Sequence, residues 1–254
     1  MLNGDSELCL SGKAESFPYI DLTMLMLDKF GIKVDFNANV FTIPGKQIYR
    51  SPGAIYIEGD WSNAAFWLTA GALGENCVIC DGLDLKSRQG DRIVLNLLAR
   101  FGANIETNAS SVTVRGGKLH GMEIDAGNIP DLVPILAAAA AAAEGTTVIR
   151  NAGRLRTKES DRLAAVSSVL TGLGADVRVT DGGLIINGKG GLDAKSLTGG
   201  KISSWGDHRI AMTAAIASLI CAQPVIIEGA QAVNKSYPGF FDDFRLLGGC
   251  AQVI

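Results

Sequence analysis

The sequence has few of the residues that build metal or redox centres. Its 254 residues include only two histidines. Its cysteines are an odd number scattered through hydrophobic surroundings, namely Cys9, Cys77, Cys80, Cys221 and Cys250. Cys77 and Cys80 form a C-x-x-C pair, but they belong to an apolar strand pattern without a second pair or a nearby histidine to complete a zinc site. We therefore expect reduced, buried thiols with no metal or redox role.

Positive charge is also scarce. The chain has 23 Lys and Arg against 26 Asp and Glu, a net charge of -3, which argues against a nucleic-acid-binding surface. No charge-free apolar run approaches membrane-spanning length, and charged residues from Asp5 to Glu15 leave no visible signal peptide. Because 47% of the residues are hydrophobic and 19% are charged, we expect a globular, cytoplasmic protein with a packed core.

Three segments of the chain resemble one another, and each contains a glycine at a similar place: Gly31, Gly102 and Gly174, spaced 71 and 72 residues apart. Each segment reads as a helix end, a glycine in the left-handed conformation, a strand, a polar turn and a second strand. A period of this kind indicates a repeated structural unit.

A second series of segments predicts buried helices: GDWSNAAFWLTAGAL, NIPDLVPILAAAAAAA and GDHRIAMTAAIASLIC. Each has an Asp near the helix start and is apolar on all sides, and the second contains seven consecutive alanines at residues 137–143. Short apolar strands follow these helices. The sequence therefore predicts an α/β fold of repeated βαβαββ units, with inner helices and outer sheets.

The units are distributed unequally along the chain. Residues 59–254 hold nearly three units, whereas residues 1–58 hold about one. We expect two lobes with a boundary near Gly59 and Asp60, just after a Ser-Pro-Gly turn that begins at Ser51.

The stretch RLRTKESDR, residues 154–162, contains four cationic and two anionic side chains before a predicted helix. If Thr157 or Ser160 caps that helix, Arg162 lies in its first turn beside outward-pointing N–H groups, where anions bind. The helix dipole disfavours a cation at a helix N-terminus, so an arginine there needs another stabilising interaction. The alternative is a solvated loop, in which each exposed ion pair is worth about 0 to 1 kcal/mol.

A second stretch, WGDHRIAM, places Arg209 in the first turn of another helix, with His208 beside it. If Arg162 and Arg209 converge on one anion, each charge-assisted hydrogen bond would contribute about 1.5 to 3 kcal/mol. Replacing either arginine would then weaken anion binding without destabilising the fold. Lys235, ahead of a Tyr-Pro-Gly turn, is a third cationic candidate, although a single lysine there is more often solvated.

Asp131, in the stretch NIPD, is the remaining carboxylate at the start of a buried helix. It can cap that helix, or it can accept a proton from a substrate hydroxyl at the mouth of a cationic cleft. Glu159 is the candidate for a second acid or base.

Five motifs together, RLRTKESDR, GDHRIAM, NKSYPGFF, NIPD and SFPYIDLT, closely resemble the 3-phosphoshikimate 1-carboxyvinyltransferase (EPSP synthase) family. The resemblance implies two lobes of repeated units that close over substrates. It also implies transfer of the enolpyruvyl group of phosphoenolpyruvate to the 5-hydroxyl of shikimate 3-phosphate, with release of phosphate and no cofactor.

The resemblance assigns roles to individual residues of this chain. The side chains expected at phosphoenolpyruvate are Arg162, His208, Arg209 and Lys235. Those expected at shikimate 3-phosphate are Ser16, Tyr19, Asp131 and Lys158. Asp131 would take the proton of the 5-hydroxyl, and Glu159 would handle protons at the methylene carbon of phosphoenolpyruvate. Arg154 stands where some members have an asparagine that touches shikimate 3-phosphate.

Members of this family are considerably longer, and several of their substrate-binding motifs lie in a part that this chain lacks. We therefore expect a C-terminal portion that is inactive alone, with residues 1–58 as the last unit of the incomplete smaller lobe and the missing N-terminal half as a partner. Two alternatives stay open. One is the related enolpyruvyl transferase that acts on UDP-N-acetylglucosamine, and the other is a non-catalytic repeat domain that self-associates.

Overall fold

The computed structural model describes residues 2–12, 14–190 and 195–254. The helices in these ranges are α1 (Phe17–Lys29), α2 (Trp61–Leu73), α3 (Val94–Phe101), α4 (Val133–Ala142), α5 (Arg162–Gly172), α6 (His208–Ala217) and α7 (Phe240–Leu246). The strands are β1 (Ser6–Cys9), β2 (Asp35–Asn37), β3 (Val40–Ile43), β4 (Val78–Asp81), β5 (Asn104–Thr107), β6 (Ser111–Arg115), β7 (Glu123–Asp125), β8 (Glu144–Arg150), β9 (Asp176–Thr180), β10 (Gly183–Lys189), β11 (Gly200–Ser203) and β12 (Val225–Glu228). The predicted α/β class is confirmed.

The repeat that the three glycines predicted is present in the backbone. Gly31, Gly102 and Gly174 follow α1, α3 and α5 with φ angles of 76°, 113° and 95°, values that a side chain would strain. After each glycine the chain forms an antiparallel strand pair, β2 with β3, β5 with β6, and β9 with β10.

One unit contains the whole predicted pattern. Its strands form a four-stranded sheet in the order β7-β8-β10-β9, with β7 parallel to β8 and β10 antiparallel to both of its neighbours. The helices α4 and α5 lie between these strands in the chain, which gives βαβαββ. The preceding unit forms the three-stranded sheet β4-β6-β5, and the following one forms the parallel pair β11-β12.

The hydrophobic core is built on α2, α4 and α6, as the apolar segments predicted. All ten residues of α4 are buried, and the alanines at 137–143 are at most 1% exposed. Gly188 of β10 lies against the end of this helix, because a Cβ there would fall 2.0 Å from the carbonyl oxygen of Ala143. Small residues therefore let helix and sheet approach closely.

The N-terminal segment is packed differently. Its strands form a separate antiparallel sheet in the order β1-β3-β2, and α1 lies beside it. None of the 13 residues of α1 is buried, although its sequence FPYIDLTMLMLDK is rich in large apolar side chains. The division into lobes at residues 58 and 59 stays a prediction.

The sequence predicted the cap of α5 and the burial of the thiols incorrectly. The cap is Asp161, whose carboxylate accepts the N–H of Ala164 at 3.1 Å. The hydroxyl of Ser160 donates to Asp207 instead, and that of Thr157 donates to the carbonyl of Arg154. Three of the cysteines, Cys9, Cys77 and Cys250, are exposed, Cys80 is partly buried and Cys221 is buried. Those three lie outside the inner helical core, on β1, ahead of β4 and near the C-terminus.

None of the helices in the described ranges combines the length and apolar character needed to cross a membrane.

Candidate active site

The buried guanidinium of Arg162 is the centre of the candidate site. Arg162 is the first residue of α5, and its side chain is only 1% exposed. It donates to three carboxylates, those of Asp131 at 2.7 Å, Glu159 at 2.6 Å and Asp207 at 2.8 Å. A buried charge requires this kind of compensation, because desolvation of an unpaired guanidinium would be strongly unfavourable.

Asp207 holds Arg162 and the start of α6 together. Its carboxylate is completely buried and accepts the Nε–H of Arg162, the backbone N–H of Arg209 and the hydroxyl of Ser160. The sequence showed only an Asp at a helix start, which is the ordinary cap role. The sequence signal for its other role, the ion pair with Arg162, is the order Asp-His-Arg. This order places the carboxylate of Asp207 beside two candidate site residues, His208 and Arg209.

Asp131 lies on a 3-10 turn, Pro130–Leu132, ahead of α4. Its side chain does not cap that helix, so this part of the sequence interpretation was wrong. Around its carboxylate are Arg162, Arg209 at 3.4 Å and Lys158 at 3.5 Å. Burial favours its protonated form, but the charges of Arg209, Lys158 and Arg162 outweigh burial and lower the pKa of Asp131.

Glu159 lies between Arg162 and the more exposed Lys235. The Lys235 Nζ is 2.8 Å from one carboxylate oxygen, and the Arg162 guanidinium is 2.6 Å from the other. Burial opposes ionisation, yet hydrogen bonds from Lys235 and from the backbone N–H of Glu159, with the charge of Arg162, lower the pKa of Glu159 to about 2. Both catalytic candidates, Asp131 and Glu159, are therefore ionised at neutral pH in this arrangement.

His208 is 5% exposed, and its Nδ1 lies 3.7 Å from Asp207. Within the described ranges this nitrogen has no hydrogen-bond partner. Burial first, and then the charge of Arg209, lower the pKa of His208, so the ring is neutral at pH 7.

Ser16 and Tyr19, at the start of α1, contact residues that lie far along the chain. The Ser16 hydroxyl accepts a hydrogen bond from Arg154 at 2.8 Å, and Arg154 also pairs with Glu15 at 3.2 Å. The Tyr19 hydroxyl donates to Asp91 at 3.2 Å. These contacts join residues on the two sides of the predicted boundary.

Asp91 lies beside Tyr19, and no motif in the sequence marks it as part of a site. Its carboxylate is fully buried, and one oxygen accepts hydrogen bonds from Tyr19 and from Ser62 at 2.5 Å. The other oxygen has no partner in the described part of the chain. Desolvation is the main reason why the pKa of Asp91 is raised, and the nearby charge of Asp131 adds to it. The position, one residue into a 3-10 turn, carries no sequence signal for this burial.

The structure thus places the predicted residues Asp131, Lys158, Glu159, Arg162, His208, Arg209 and Lys235 in one connected cluster. Arg162 and Arg209 both contact Asp131, so a carboxylate lies between them where the sequence suggested a shared anion. Ser16 and Tyr19 are held by Arg154 and Asp91 respectively. In the described residues, no three His, Cys, Asp or Glu side chains are placed to hold a metal ion.

Comparison with known proteins decides the family. A sequence model described as EPSP synthase (3-phosphoshikimate 1-carboxyvinyltransferase) matches residues 1–244. The chain belongs to the EPSP synthase family. It is 48% identical over 98% of its length to the 3-phosphoshikimate 1-carboxyvinyltransferase of Clostridium kluyveri, and 46% identical over 98% to that of Clostridium novyi. These matches cover 57% and 56% of the two relatives, so the chain spans somewhat more than half of their length.

Solved structures of the family have the same fold. EPSP synthase from Acinetobacter baumannii superposes with a TM-score of 0.83 at 28% identity, covering 99% of this chain and 58% of that one. The enolpyruvyl transferase NikO from Streptomyces tendae has a TM-score of 0.70 over 98% of this chain and 56% of its own, at 22% identity. The second likeness is one of fold alone.

Proposed function

We propose that this chain supplies the acid–base groups and several of the cationic groups of an active site that transfers the enolpyruvyl group of phosphoenolpyruvate to the 5-hydroxyl of shikimate 3-phosphate. The observation that carries the proposal is the cluster around Arg162. Arg162, Arg209, Lys158 and Lys235 face the carboxylates of Asp131, Glu159 and Asp207. Both substrates carry phosphate and carboxylate groups, which are the natural partners of arginine and lysine.

The first step that we assign to the cluster is an exchange of ionic partners. Lys158 and Arg209 lie 3.5 and 3.4 Å from the carboxylate oxygens of Asp131. When the substrate anions bind, these cations turn toward them, and the pKa of Asp131 rises because part of its compensation is lost. Asp131 then accepts the proton of the 5-hydroxyl while the hydroxyl oxygen attacks C2 of phosphoenolpyruvate.

Glu159 completes the proton balance. Lys235 and Arg162 leave Glu159 for phosphoenolpyruvate, which raises the pKa of this carboxyl and lets it carry a proton. Glu159 gives that proton to the methylene carbon, so that addition forms a new C–O bond and a tetrahedral intermediate. Glu159 then takes a proton back from the resulting methyl group while the bond between C2 and the phosphate oxygen breaks, which restores the double bond. The proton held by Asp131 passes to the departing phosphate, so both carboxylates return to their ionised forms.

We assign the N-terminal segment, residues 1–58, to the smaller lobe. Ser16 and Tyr19 would contact shikimate 3-phosphate from residues 1–58, and the active form would include polypeptide equivalent to the part of the relatives that this chain does not match. The packing of α1 supports this proposal. Its apolar residues border an open groove with Tyr49, and none of them is buried. Cytoplasmic location stays a prediction.

Reconstitution tests the proposal. The chain is mixed with a separately produced polypeptide for the unmatched part of the Clostridium kluyveri relative, and phosphate release is measured. We expect release that requires both polypeptides and both substrates, with a K235M mixture as the impaired control.

Release with UDP-N-acetylglucosamine in place of shikimate 3-phosphate would favour the alternative acceptor. A stable complex that releases phosphate with neither acceptor would contradict the proposed function, and concentration-dependent mass of the chain alone would support self-association.

A further inference from the structure

A tyrosine two residues after Lys235 is held at both sides by hydrogen bonds. The Tyr237 hydroxyl accepts a hydrogen bond from Nε1 of Trp67 at 3.1 Å and donates one to Asp243 at 2.6 Å. Trp67 belongs to the buried helix α2, and Asp243 belongs to α7. The hydroxyl therefore connects the segment that carries Lys235 to the core and to the C-terminal helix.

The direction of these hydrogen bonds is fixed by chemistry. An indole N–H can only donate, and a carboxylate can only accept, so the phenol must do both in one orientation. Burial, and then the hydrogen bond to Asp243, raise the pKa of Tyr237 to about 12, which keeps the hydroxyl protonated as a donor. Phe240 stacks on Trp67 at 4.9 Å and meets Tyr237 edge-on at 5.7 Å. A phenylalanine at 237 would keep these ring contacts and lose both hydrogen bonds.

The backbone between the anchor and Lys235 is short. Lys235 ends a 3-10 turn, Ala230–Lys235, and the N–H of Tyr237 donates to the carbonyl of Val233, which is 2% exposed. Lys235 thus lies between two anchored residues, while its own side chain is 56% exposed. Its ammonium group makes one ion pair in the described structure, to Glu159 at 2.8 Å. The aim of this long side chain depends on where its backbone is held.

We propose that Tyr237, held by Trp67 and Asp243, is a positioning residue that aims Lys235 at Glu159. Its importance for turnover rests on the proposed function, whereas the geometry of Lys235 against Glu159 does not.

The test is a carboxyl NMR titration of Glu159 in the chain as it is, without substrate. The groups that face this carboxylate are Lys235, Arg162, His208 and its own backbone N–H. We expect K235M to raise the pKa of Glu159 by about 1, because a direct cationic partner is lost. We expect Y237F to raise it by about half as much. Y56F is the matched control, since Tyr56 is 80% exposed and the substitution removes the same hydroxyl.

The outcome separates positioning from stability. If Y237F lowers the melting temperature and leaves the pKa of Glu159 as in Y56F, Tyr237 is only a structural anchor and the proposal is wrong. If Y237F changes neither the melting temperature nor the pKa of Glu159, the proposal is wrong as well. If Y237F does not fold, D243N removes the charged acceptor alone and is expected to raise the pKa of Glu159 in the same direction. Because the titration needs no turnover, it decides this point even if the reconstituted mixture is inactive.

Discussion

Arg162 and Asp207 form an ion pair that is almost fully buried, with Nε and Oδ2 at 2.8 Å and the side chains 1% and 0% exposed. The pair joins the starts of α5 and α6, two helices that lie far apart in the chain. Because Asp131 and Glu159 also contact the same guanidinium, the position of both catalytic candidates depends on this one buried charge.

Removal of Arg162 should therefore destabilise the fold. In R162M the side-chain volume is largely kept, but three carboxylates lose their shared cation. We expect a loss of about 3 to 5 kcal/mol in the free energy of unfolding, measured by urea denaturation. The matched control is R156M, because Arg156 lies in the same stretch and pairs with Asp161 near the surface, where about 0 to 1 kcal/mol is expected. Equal small losses in both variants would contradict the central position of Arg162.

This prediction reverses the expectation from sequence. Two arginines at helix starts suggested like charges facing a shared anion, so their removal seemed harmless to the fold. The structure instead places carboxylates around Arg162, and one of them, Asp207, also caps α6 by accepting the backbone N–H of Arg209. Arg162 and Asp207 are 45 residues apart in the chain. Tertiary packing brings them together, and local sequence spacing cannot predict such a contact.

The repeat itself was predictable, because it depends on local chemistry. Glycines in the left-handed conformation end helices at Gly31, Gly102 and Gly174, and helices that are apolar on all sides must be interior. Asp91 shows the opposite case. Its burial comes from the meeting of α1, α2 and a 3-10 turn, and no pattern around position 91 indicates that meeting.

Asp91 should make stability depend on pH. Its pKa is raised in the folded state, mainly by burial, so its favourable contribution is present below the unfolded value of about 3.9 and is lost as pH rises through the folded pKa. The groups facing it are Ser62, Tyr19, Arg209 and Asp131. We expect D91N to be more stable relative to wild type at pH 7 than at pH 3.

The measurement is thermal unfolding across this pH range, with D181N as the control because Asp181 is an exposed turn residue. A difference between D91N and wild type that does not change with pH would show that Asp91 is ionised equally well in both states.

The alanine run in α4 should tolerate no larger side chain. Ala139 lies among the inner helices and is 0% exposed, so the larger side chain of A139L does not fit there without displacing its neighbours. We expect a loss of about 1 to 3 kcal/mol in chemical denaturation, or failure to fold. A99L is the control, because Ala99 is exposed on α3 and gains only a solvated side chain there. If A139L leaves the free energy of unfolding unchanged, the inner helices are less closely packed than in this structure.

The apolar face of α1 should serve assembly with the remainder of its lobe. Met26 is 38% exposed beside the groove, and M26K would place a charge there. We expect M26K to weaken association with the complementary polypeptide by about tenfold, which corresponds to about 1.4 kcal/mol, measured by light scattering or calorimetry. I226K is the control, since Ile226 is similarly exposed at 41% and lies on β12, away from the groove beside α1. Equal association of both variants would place the contact elsewhere.

If Asp131 is the general base, phosphate release by the reconstituted mixture should depend on its carboxylate, and D131N in place of the wild-type chain removes that carboxylate. Asparagine can still accept a hydrogen bond from Arg162, but it cannot take the proton of the 5-hydroxyl. We expect turnover to fall at least about 100-fold, the usual contribution of a general base, while the mixture still assembles and binds shikimate 3-phosphate. Turnover by D131N within a few-fold of wild type would contradict the role of Asp131 and the proposed chemistry of the cluster.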